Sequence, residues 1–405
     1  MLKVIVIGGG ASGLMSAIWA ARNQCKVTIL EQKDKVGKKI LATGNGKCNY
    51  TNYHQESSCY RGSDVEKAME VIHAFDVNRT IGFFQELGIY PKERNGYVYP
   101  NSGQATSVLD VLILEARRLG IEIICNAKVS AVKKQKNQFA VFANDISYYA
   151  DHVILTVGGC ASSKLGSDGS GYPIAKAFGH TIVKPLPALV QLKSNVKYLK
   201  TISGVRCDAA ITLLVDSKKV TAEKGEILFA NYGISGIPVM QVSRFAAVAL
   251  DSKRKVELSI DFLSDIPYQQ LVEQINQRLS YDKGRTAEEI FVGLLNHKLT
   301  YVLLKEVGID PEMKASKIGK DVWKKLASKM KNFVMTIVDT NGFDNAQTST
   351  GGIPLSEVNV KTLESLKVKG LYFAGELLDV DGTCGGYNLQ WAWSSGYVAG
   401  ISQKE

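Results

Sequence analysis

The first 31 residues constrain how this chain can fold more than any other stretch. An apolar segment at 2–7 predicts a β-strand, and a glycine-rich turn at 8–13 opens a helical stretch. A second strand-like segment at 26–30 ends on the acid Glu31. Strand, turn, helix, strand and acid in this order and at this spacing are typical of a dinucleotide-binding βαβ unit. A buried βαβ unit that binds no ligand is the alternative.

Each glycine of the turn has a separate physical role in this prediction. Gly8 permits the tight turn, Gly10 lets the backbone approach a pyrophosphate, and Gly13 lets the helix pack closely against the strand. The first N–H groups of the helix would face the phosphates. Glu31 is placed to accept a hydrogen bond from a ribose hydroxyl.

Composition and charge limit the classes of protein to which the chain can belong. Its 405 residues allow two or three domains, and the sequence contains no apolar run of about 18 residues, so we expect no membrane span. The seven cysteines lack paired spacing, which favours a cytoplasmic location and argues against a structural metal site. The net charge of +10 is spread along the chain, which argues against a nucleic-acid partner.

Three later segments are rich in the residue types that contact a cofactor. Residues 42–52 combine glycines with short hydrogen-bonding side chains, and the apolar strand at 151–159 ends in Thr-x-Gly-Gly. The strand at 370–376 ends in Gly-Glu, and after it glycines open a helix at 389–399 whose first turn presents unpaired N–H groups. We expect all three segments to return to the site that the first loop begins.

A second glycine-rich loop, at 166–172, opens a short helix at 173–178. It resembles a phosphate loop, but no six-residue apolar strand leads into it. We therefore expect it to pack against the first loop and do not predict a second nucleotide site. A separate NAD(P)H domain is not predicted, so a nicotinamide donor would have to approach the cofactor directly.

The middle of the chain differs in character and predicts an inserted domain. Strand-like segments at 211–215 and 256–260 are followed by helical patterns. The predicted boundaries are 1–188 for the first part of the nucleotide-binding domain, 189–339 for the insert and 340–405 for the second part of the first domain. The helices predicted in the insert span 268–279, 286–295 and 322–330.

Periodicity also predicts local structure between the first loop and the insert. Residues 65–87 have the pattern of one amphipathic helix that ends at Gly88. Segments at 121–125 and 128–132 predict strands, of which we expect the second to run beside the first nucleotide unit. The segment at 377–382 is expected to continue the strand that ends in Gly-Glu.

The long motifs at 42–52, 225–236 and 373–393 together resemble the BaiN, RdsA and aminoacetone-oxidase-like family of NAD(P)/FAD-dependent oxidoreductases, which are glutathione-reductase-like flavoproteins. The resemblance runs nearly end to end. It implies an α/β fold: a Rossmann-like FAD-binding domain of the glutathione-reductase type, interrupted by an inserted mixed strand/helix domain that covers the flavin. Three departures are Asn45, where the family often has glycine, Lys47, where arginine is common, and Ile237, which separates Gly236 from Pro238 where the family usually has Ser-Gly-Pro.

The resemblance, with the motifs above, also gives a set of expected site residues. The predicted cofactor-binding residues are Gly8, Gly10, Ala11, Ser12, Gly13, Glu31, Gln32, Lys33, Lys39, Thr43, Gly44, Asn45, Gly46, Val129, Thr156, Gly158, Gly159, Gly375, Glu376, Asp379, Gly386, Asn388 and Leu389. For catalysis we select Lys47, to stabilise developing negative charge, and Tyr387, as a proton donor at the helix start. A surface or phosphate-binding lysine and a packing tyrosine are the alternatives.

Three functions stay open at this point. The first is an FAD-dependent oxidoreductase that transfers a hydride between flavin N5 and a small organic substrate, with NAD(P)H as a transient donor, as in the reduction of a conjugated double bond. The second is an oxygen-dependent amine oxidase, and the third is a flavoprotein that binds or modifies RNA. The substrate, the electron donor and acceptor, and the oligomeric state do not follow from the sequence.

Overall fold

The computed structural model describes residues 1–281 and 284–404. The chain divides into two compact units. The first unit joins Met1–Pro187 to Ala346–Glu405, and the second is Ala188–Asn345. The chain ends therefore belong to one unit, and the middle of the chain forms the other.

Helices and strands alternate in short runs along both units. The helices are α1 Ala11–Arg22, α2 Lys38–Leu41, α3 Val65–Ala74, α4 Val77–Glu86, α5 Ala105–Arg118, α6 Gly171–Ala177, α7 Leu199–Ile202, α8 Ile237–Asp251, α9 Tyr268–Tyr281, α10 His297–Glu306, α11 Lys320–Lys331 and α12 Tyr387–Ile401. The strands are β1 Lys3–Ile7, β2 Lys26–Leu30, β3 Thr51–Asn52, β4 Tyr60–Gly62, β5 Pro91–Arg94, β6 Tyr97–Pro100, β7 Glu122–Ile124, β8 Val129–Gln135, β9 Gln138–Ala143, β10 Ile146–Ala150, β11 His152–Leu155, β12 Val183–Ala188, β13 Leu192–Ser194, β14 Arg206–Val215, β15 Lys218–Ala230, β16 Gly233–Ser235, β17 Val256–Asp261, β18 Phe333–Thr340, β19 Thr348–Gly352, β20 Leu371–Phe373 and β21 Val380–Gly382.

A parallel sheet with the strand order β20-β11-β1-β2-β7 organises the first unit. Its register pairs Ile7 with Leu30 on one side and with Leu155 on the other, and Leu155 in turn with Phe373. Because the strands are parallel, the segments that follow these four residues all leave the sheet at the same edge. The Rossmann-type α/β fold predicted from the sequence is confirmed.

The C-terminal helix α12 packs closely against α1 through small residues. A β-carbon added to Gly396 would lie 2.7 Å from the carbonyl oxygen of Ser12, and one added to Gly400 would lie 2.5 Å from that of Ser16. Both pairs are four residues apart, so they lie on one face of each helix. Only glycine on α12 allows this approach, and it holds the end of the chain against the first βαβ unit.

The second unit is built around a closed barrel in the order β13-β16-β15-β14-β17-β18. The long hairpin of β14 and β15 is antiparallel, and alternating residues of β14 and β17 are buried. Helices α7 to α11 belong to the same unit. The insert therefore mixes strands and helices, as expected.

Two predictions of local structure in the first unit are wrong. The single helix at 65–87 is two helices, because the side chain of Asp76 accepts a hydrogen bond from the backbone N–H of Arg79 at 2.9 Å and caps a new helix start. The strand that joins the parallel sheet is β7, whereas β8 pairs with β9 in a separate antiparallel sheet. The first prediction was wrong because a helix cap interrupts the periodic stretch. The second was wrong because tertiary contacts decide which strands pair.

Two further predictions are also corrected. The helix expected at 286–295 is a single 3₁₀ turn at Glu289–Phe291, and α10 begins after it, where Asn296 caps the N–H of Lys298 at 3.0 Å. The segment at 377–382 does not continue the strand before it, because β20 ends at Phe373, a 3₁₀ turn follows at Gly375–Leu377, and β21 pairs with β4 in another sheet.

No helix of the described residues has the length and apolar character needed to cross a membrane.

Candidate active site

A deep cleft opens at the carboxyl edge of the parallel sheet, within the first unit. It encloses about 1230 Å³ of space outside the protein atoms, open solvent included. The residues that line it are Ile7, Gly8, Gly10, Ala11, Ser12, Leu30, Glu31, Gln32, Lys35, Gly37, Lys38, Lys39, Ile40, Thr43, Ala127, Lys128, Val129, Thr156, Val157, Gly158, Leu165, Gly166, Ser167, Ser170, Ile174, Gln347, Glu376, Val380, Asn388, Leu389, Trp391 and Ala392.

The glycine turn after β1 forms the floor of the cleft. The N–H of Gly8 donates to the carbonyl oxygen of Leu30 at 2.8 Å, and the hydroxyl of Thr156 donates to the carbonyl oxygen of Gly8 at 2.7 Å. A β-carbon on Gly8 would lie 2.6 Å from the carbonyl oxygen of Thr156, and one on Gly13 would clash with the carbonyl oxygen of Gly8. Both glycines are therefore required by packing.

Gly10 differs from the other glycines of the turn because it faces open space. A β-carbon added there would meet no atom of the described residues within 4 Å. Gly10 is also the N-cap of α1 and has no side-chain cap hydrogen bond. The first N–H groups of α1, with the positive end of its dipole, are thus presented beside accessible backbone, the arrangement that binds a pyrophosphate.

Glu31 is held in place by backbone donors at the end of β2. Its carboxylate accepts the N–H of Gly9 at 2.7 Å on one oxygen and the N–H of Lys33 at 2.8 Å on the other. Only 8% of the residue is exposed, and it lines the cleft. Each carboxylate oxygen keeps capacity for a further hydrogen bond, so Glu31 is fixed and still able to accept from a ribose hydroxyl.

Glu376 and Lys39, both predicted from the sequence, meet in the wall of the cleft. The ammonium group of Lys39 lies 2.7 Å from one carboxylate oxygen of Glu376. The other oxygen accepts the backbone N–H of Ser349 at 2.9 Å and its hydroxyl at 2.8 Å. Sequence reasoning did not single out Ser349, and its position 27 residues before Glu376 gave no local signal.

The start of α12 contributes the remaining part of the wall. Gly386, its N-cap, has a φ of +93°, which favours glycine. The side chain of Asn388 exchanges two hydrogen bonds with the backbone of Gly382, at 2.8 and 2.9 Å, and the indole N–H of Trp391 donates to the carbonyl oxygen of Gly375 at 3.0 Å. These bonds fix the first turn of α12 at the cleft.

The predicted cofactor residues divide into two groups by position. Those that line the cleft are Gly8, Gly10, Ala11, Ser12, Glu31, Gln32, Lys39, Thr43, Val129, Thr156, Gly158, Glu376, Asn388 and Leu389. Those that lie behind it or in adjoining turns are Gly13, Lys33, Gly44, Asn45, Gly46, Gly159, Gly375, Asp379 and Gly386. The cleft therefore gathers side chains from the first, middle and last thirds of the sequence.

The two residues selected for catalysis lie apart from the cleft lining. Lys47 is exposed and follows the 3₁₀ turn at Thr43–Gly46. Tyr387 is buried, with its ring 5.8 Å from that of Tyr60, and burial raises its pKa. Their roles stay predictions.

Cys48 is buried, and burial raises its thiol pKa to about 12, so the thiol stays protonated and unreactive.

These residues fit FAD on their chemistry. The glycine turn and the start of α1 suit a pyrophosphate, Glu31 suits a ribose, and the start of α12 suits the electron-rich edge of a flavin ring. Gly10 leaves room for close approach, and the buried hydroxyl of Ser167 in the cleft wall has no partner among the described residues. No group of acidic, histidine or cysteine side chains that could hold a metal ion occurs in residues 1–281 and 284–404.

Known proteins with similar sequences span the whole chain. One relative is 44% identical over 407 residues, 100% of both chains, and is a 3-dehydro-bile acid delta(4,6)-reductase from Clostridium scindens. Another, a ribosomal RNA dihydrouridine synthase from Haemophilus influenzae, is 30% identical and covers 98% of this chain and 97% of its own. The solved 3-ketosteroid-delta4-(5alpha)-dehydrogenase from Rhodococcus jostii RHA1 has a TM-score of 0.52 at 17% identity and covers 99% of this chain and 96% of its own, which shows a shared fold.

The fold and cleft are those of an FAD-dependent oxidoreductase. The family model described as the HI0933-like protein Rossmann domain matches residues 2–402. The chain therefore belongs to the HI0933-like family, and the resemblance drawn from its motifs is confirmed.

Proposed function

We propose that this protein reduces a carbon–carbon double bond conjugated to a ketone in a steroid-like small molecule, with electrons that NAD(P)H supplies through FAD. The observation that supports this most is the 44% identity, over the whole chain, to a protein named as a 3-dehydro-bile acid delta(4,6)-reductase. That name describes a 3-oxo steroid whose double bonds lie in conjugation with the ketone.

The names of the bile acid reductase and the dihydrouridine synthase describe the same type of reaction, although their substrates differ in size. Dihydrouridine synthesis also saturates a double bond that is conjugated to a carbonyl group. In both cases a hydride adds to the carbon β to the carbonyl, and a proton adds to the α carbon. The enone is reduced by two electrons and NAD(P)H is oxidised to NAD(P)⁺. The proposal therefore rests on hydride transfer to an enone, with the steroid as the substrate class.

FAD, when bound, supplies the hydride donor of this reaction. The chain's part is to hold the cofactor and to place charge and protons. Glu31 and the turn at Gly8 and Gly10 would hold the dinucleotide. Lys47 is proposed to stabilise the negative charge that develops on the carbonyl oxygen, and the hydroxyl of Tyr387 is proposed to supply the proton. A raised pKa keeps the Tyr387 hydroxyl protonated, as a proton donor requires.

The test is an anaerobic half-reaction followed at the flavin absorbance band. We expect NADH or NADPH to bleach the band, and a 3-oxo-Δ4 steroid to restore it with a gain of two hydrogens in the product mass. The matching saturated 3-oxo steroid is the control and should leave the flavin reduced. Bleaching by small amines but not by nicotinamides would support an amine oxidase instead. Recovery of the flavin band with a uridine-containing ribosomal RNA fragment but not with the steroid would overturn the proposed substrate class.

The same assay tests the two catalytic assignments. Lys47→Met and Tyr387→Phe should each lower steroid turnover by about tenfold or more if they act as proposed. Turnover within a factor of two of the unmodified protein would remove that residue from the mechanism, while leaving the proposed reaction intact.

A further inference from the structure

Ser349 is a fully buried residue whose two donors converge on one carboxylate oxygen of Glu376. Its backbone N–H donates to Oε1 at 2.9 Å, and its hydroxyl donates to the same oxygen at 2.8 Å. The hydroxyl oxygen also accepts the backbone N–H of Cys160 at 3.1 Å. Because Ser349 is enclosed and does not line the cleft, any effect that it has on a bound cofactor must act through Glu376.

The strand that carries Ser349 gives these donors a fixed position. All five residues of β19 are buried, and the strand pairs with β12. The two strands approach so closely that a β-carbon on Gly351 would lie 2.5 Å from the carbonyl oxygen of Lys184. Glutamate has several rotatable side-chain bonds, so holding its carboxylate in one orientation requires contacts of this kind.

The space for the contact between Ser349 and Glu376 is left by Gly159, the second glycine after the middle strand. A β-carbon on Gly159 would lie 2.1 Å from the Ser349 hydroxyl oxygen and 2.8 Å from Oε1 of Glu376. Gly159 itself does not line the cleft. Glycine at this position therefore allows the serine and the glutamate to meet.

With Oε1 of Glu376 held by Ser349, the other oxygen is directed to Lys39. The ammonium group of Lys39 lies 2.7 Å from Oε2, and both residues line the cleft. Their side chains are 28% and 19% exposed for Lys39 and Glu376, so a ligand can reach the carboxylate. A carboxylate oxygen that pairs with one lysine keeps capacity for a further hydrogen bond.

Glu376 lies between the two helix starts that face the cleft. A β-carbon on the preceding Gly375 would lie 2.4 Å from the hydroxyl oxygen of Ser12 in α1, and its carbonyl oxygen accepts the indole N–H of Trp391 in α12 at 3.0 Å. The start of α1 suits the pyrophosphate and the start of α12 suits the flavin ring. The carboxylate is therefore placed beside the part of FAD that joins them, which is a chain of hydroxyl groups.

We propose that Ser349 is a positioning residue of the cofactor site, which holds Glu376 so that Oε2 is presented to Lys39 and to a hydroxyl group of FAD. The proposal rests on FAD as the cofactor and is independent of the organic substrate. It gives a role in cofactor binding to a residue that does not touch the cofactor.

The test is a double-mutant cycle on the affinity for FAD. Ser349→Ala is made in the unmodified chain and in a Glu376→Met chain, and the full-length proteins, freed of bound flavin, are titrated calorimetrically with FAD and with ADP. We expect Ser349→Ala to weaken FAD binding about fivefold when Glu376 is present, and less than about twofold when methionine replaces it. ADP lacks the hydroxyl chain and the flavin, so Ser349→Ala should bind it as the unmodified protein does.

A second variant and a matched control accompany the cycle. Ser349→Cys replaces the hydroxyl by a weak donor and should show the same pattern with about a threefold loss, so the test does not depend on the folding of the alanine variant. Ser365→Ala is the control, because Ser365 is another buried serine that accepts backbone N–H groups, at 3.0 and 2.9 Å, and does not line the cleft. Its affinity for FAD should stay within about twofold of the unmodified protein.

Four results would overturn the proposal. The first is unchanged FAD affinity in the Ser349 variants, and the second is an equal loss in both backgrounds, since Ser349 would then act independently of Glu376. The third is an equal loss for FAD and ADP, and the fourth is a matching loss in Ser365→Ala, because either would indicate a general disturbance of the unit. Failure of the unmodified protein to bind FAD would overturn both this proposal and the reductase reaction, whereas failure of the steroid to accept electrons would leave the cycle standing.

Discussion

Two glutamate clusters in the first unit contain similar groups and differ in their access to the cofactor. The cleft cluster consists of Glu376, Lys39 and Ser349, and its glutamate and lysine line the cleft. The remote cluster consists of Glu357, His180, Ser365 and Lys367, which are not among the described residues that line the cleft. In each cluster, a carboxylate accepts hydrogen bonds from a cation and from neutral donors.

The remote cluster has an arrangement that resembles a catalytic triad. His180 Nδ1 lies 2.8 Å from Glu357, and Nε2 lies 2.7 Å from the hydroxyl oxygen of Ser365. The same oxygen already accepts the N–H groups of Lys367 and Val368 at 3.0 and 2.9 Å. Ser365 therefore donates its hydrogen to Nε2, which fixes the neutral histidine tautomer with its proton on Nδ1.

The same bonds argue that this serine is not a nucleophile. Both lone pairs of the Ser365 oxygen are occupied by backbone donors, and the residue is 6% exposed. A nucleophile needs a free lone pair and access to its substrate. The position of a polar cluster, and not its composition, therefore decides whether it serves the cofactor or the stability of the fold.

The largest expected effect is the loss of stability on removing Glu357. Glu357→Ala leaves the Nδ1 hydrogen of the buried His180 without its acceptor and removes the ion pair with Lys367, so we expect the free energy of unfolding to fall by about 3 kcal/mol. The affinity for FAD should stay within a factor of two. Urea denaturation and FAD titration measure the two quantities. A stable variant with weakened FAD binding would reverse the assignment of the remote cluster.

The parts of the site that could be predicted from sequence are those whose signal is local. The turn from Gly8 to Gly13 and the acid Glu31 can be recognised within 31 residues, because strand, glycine spacing and acid all follow from one βαβ unit. The glycine-rich motif around Thr43 and the strand ending in Glu376 were assigned to the cofactor site from their local residue types, and the resemblance to a family supported that assignment. In each case, the residues could be recognised without knowing which distant residues they contact.

The rest depended on contacts that the sequence does not reveal. Lys39 and Glu376 are 337 residues apart, and His180 and Glu357 are 177 apart, so nothing in the local pattern pairs them. The barrel of the insert follows from strand pairing, which periodicity does not specify. The helix predicted at 286–295 was wrong for a related reason: the apolar residues at 290, 291, 294 and 295 have helical spacing, but the chain forms only a single 3₁₀ turn there.

A smaller effect is expected from the lysine of the cleft cluster. Lys39→Met leaves the Glu376 carboxylate uncompensated in the wall of a cleft that binds an anionic cofactor, so the affinity for FAD should fall about tenfold, or about 1.4 kcal/mol. Lys367→Met removes the corresponding cation of the remote cluster and is the matched control, with FAD affinity unchanged. Fluorescence titration of flavin measures both. An equal loss in the two variants would show that the clusters do not differ in function.

The smallest effect is a dependence of stability on pH that arises from the remote cluster. Burial lowers the pKa of His180, and the facing groups are Glu357, which opposes that shift, and Lys367, which adds to it. The folded state therefore disfavours the charged histidine. The contribution of His180 to the free energy of unfolding is complete above the pKa of about 6.5 that it has in the unfolded chain, and it is lost as the pH falls below that value. Protonation would also give Nε2 a hydrogen that Ser365 cannot accept.

We expect the free energy of unfolding to fall by about 1 kcal/mol between pH 7 and pH 5 because of this histidine. Burial alone would raise the pKa of Glu357, but bonds from Thr181, Lys367 and His180 outweigh burial and lower it to about 2. Its contribution is therefore lost only below its unfolded value of about 4.5, outside that pH range. Urea denaturation at pH 7, 6 and 5 should show a smaller slope for His180→Gln than for the unmodified protein. Equal slopes would mean that His180 keeps an ordinary pKa and that the remote cluster tolerates its protonation.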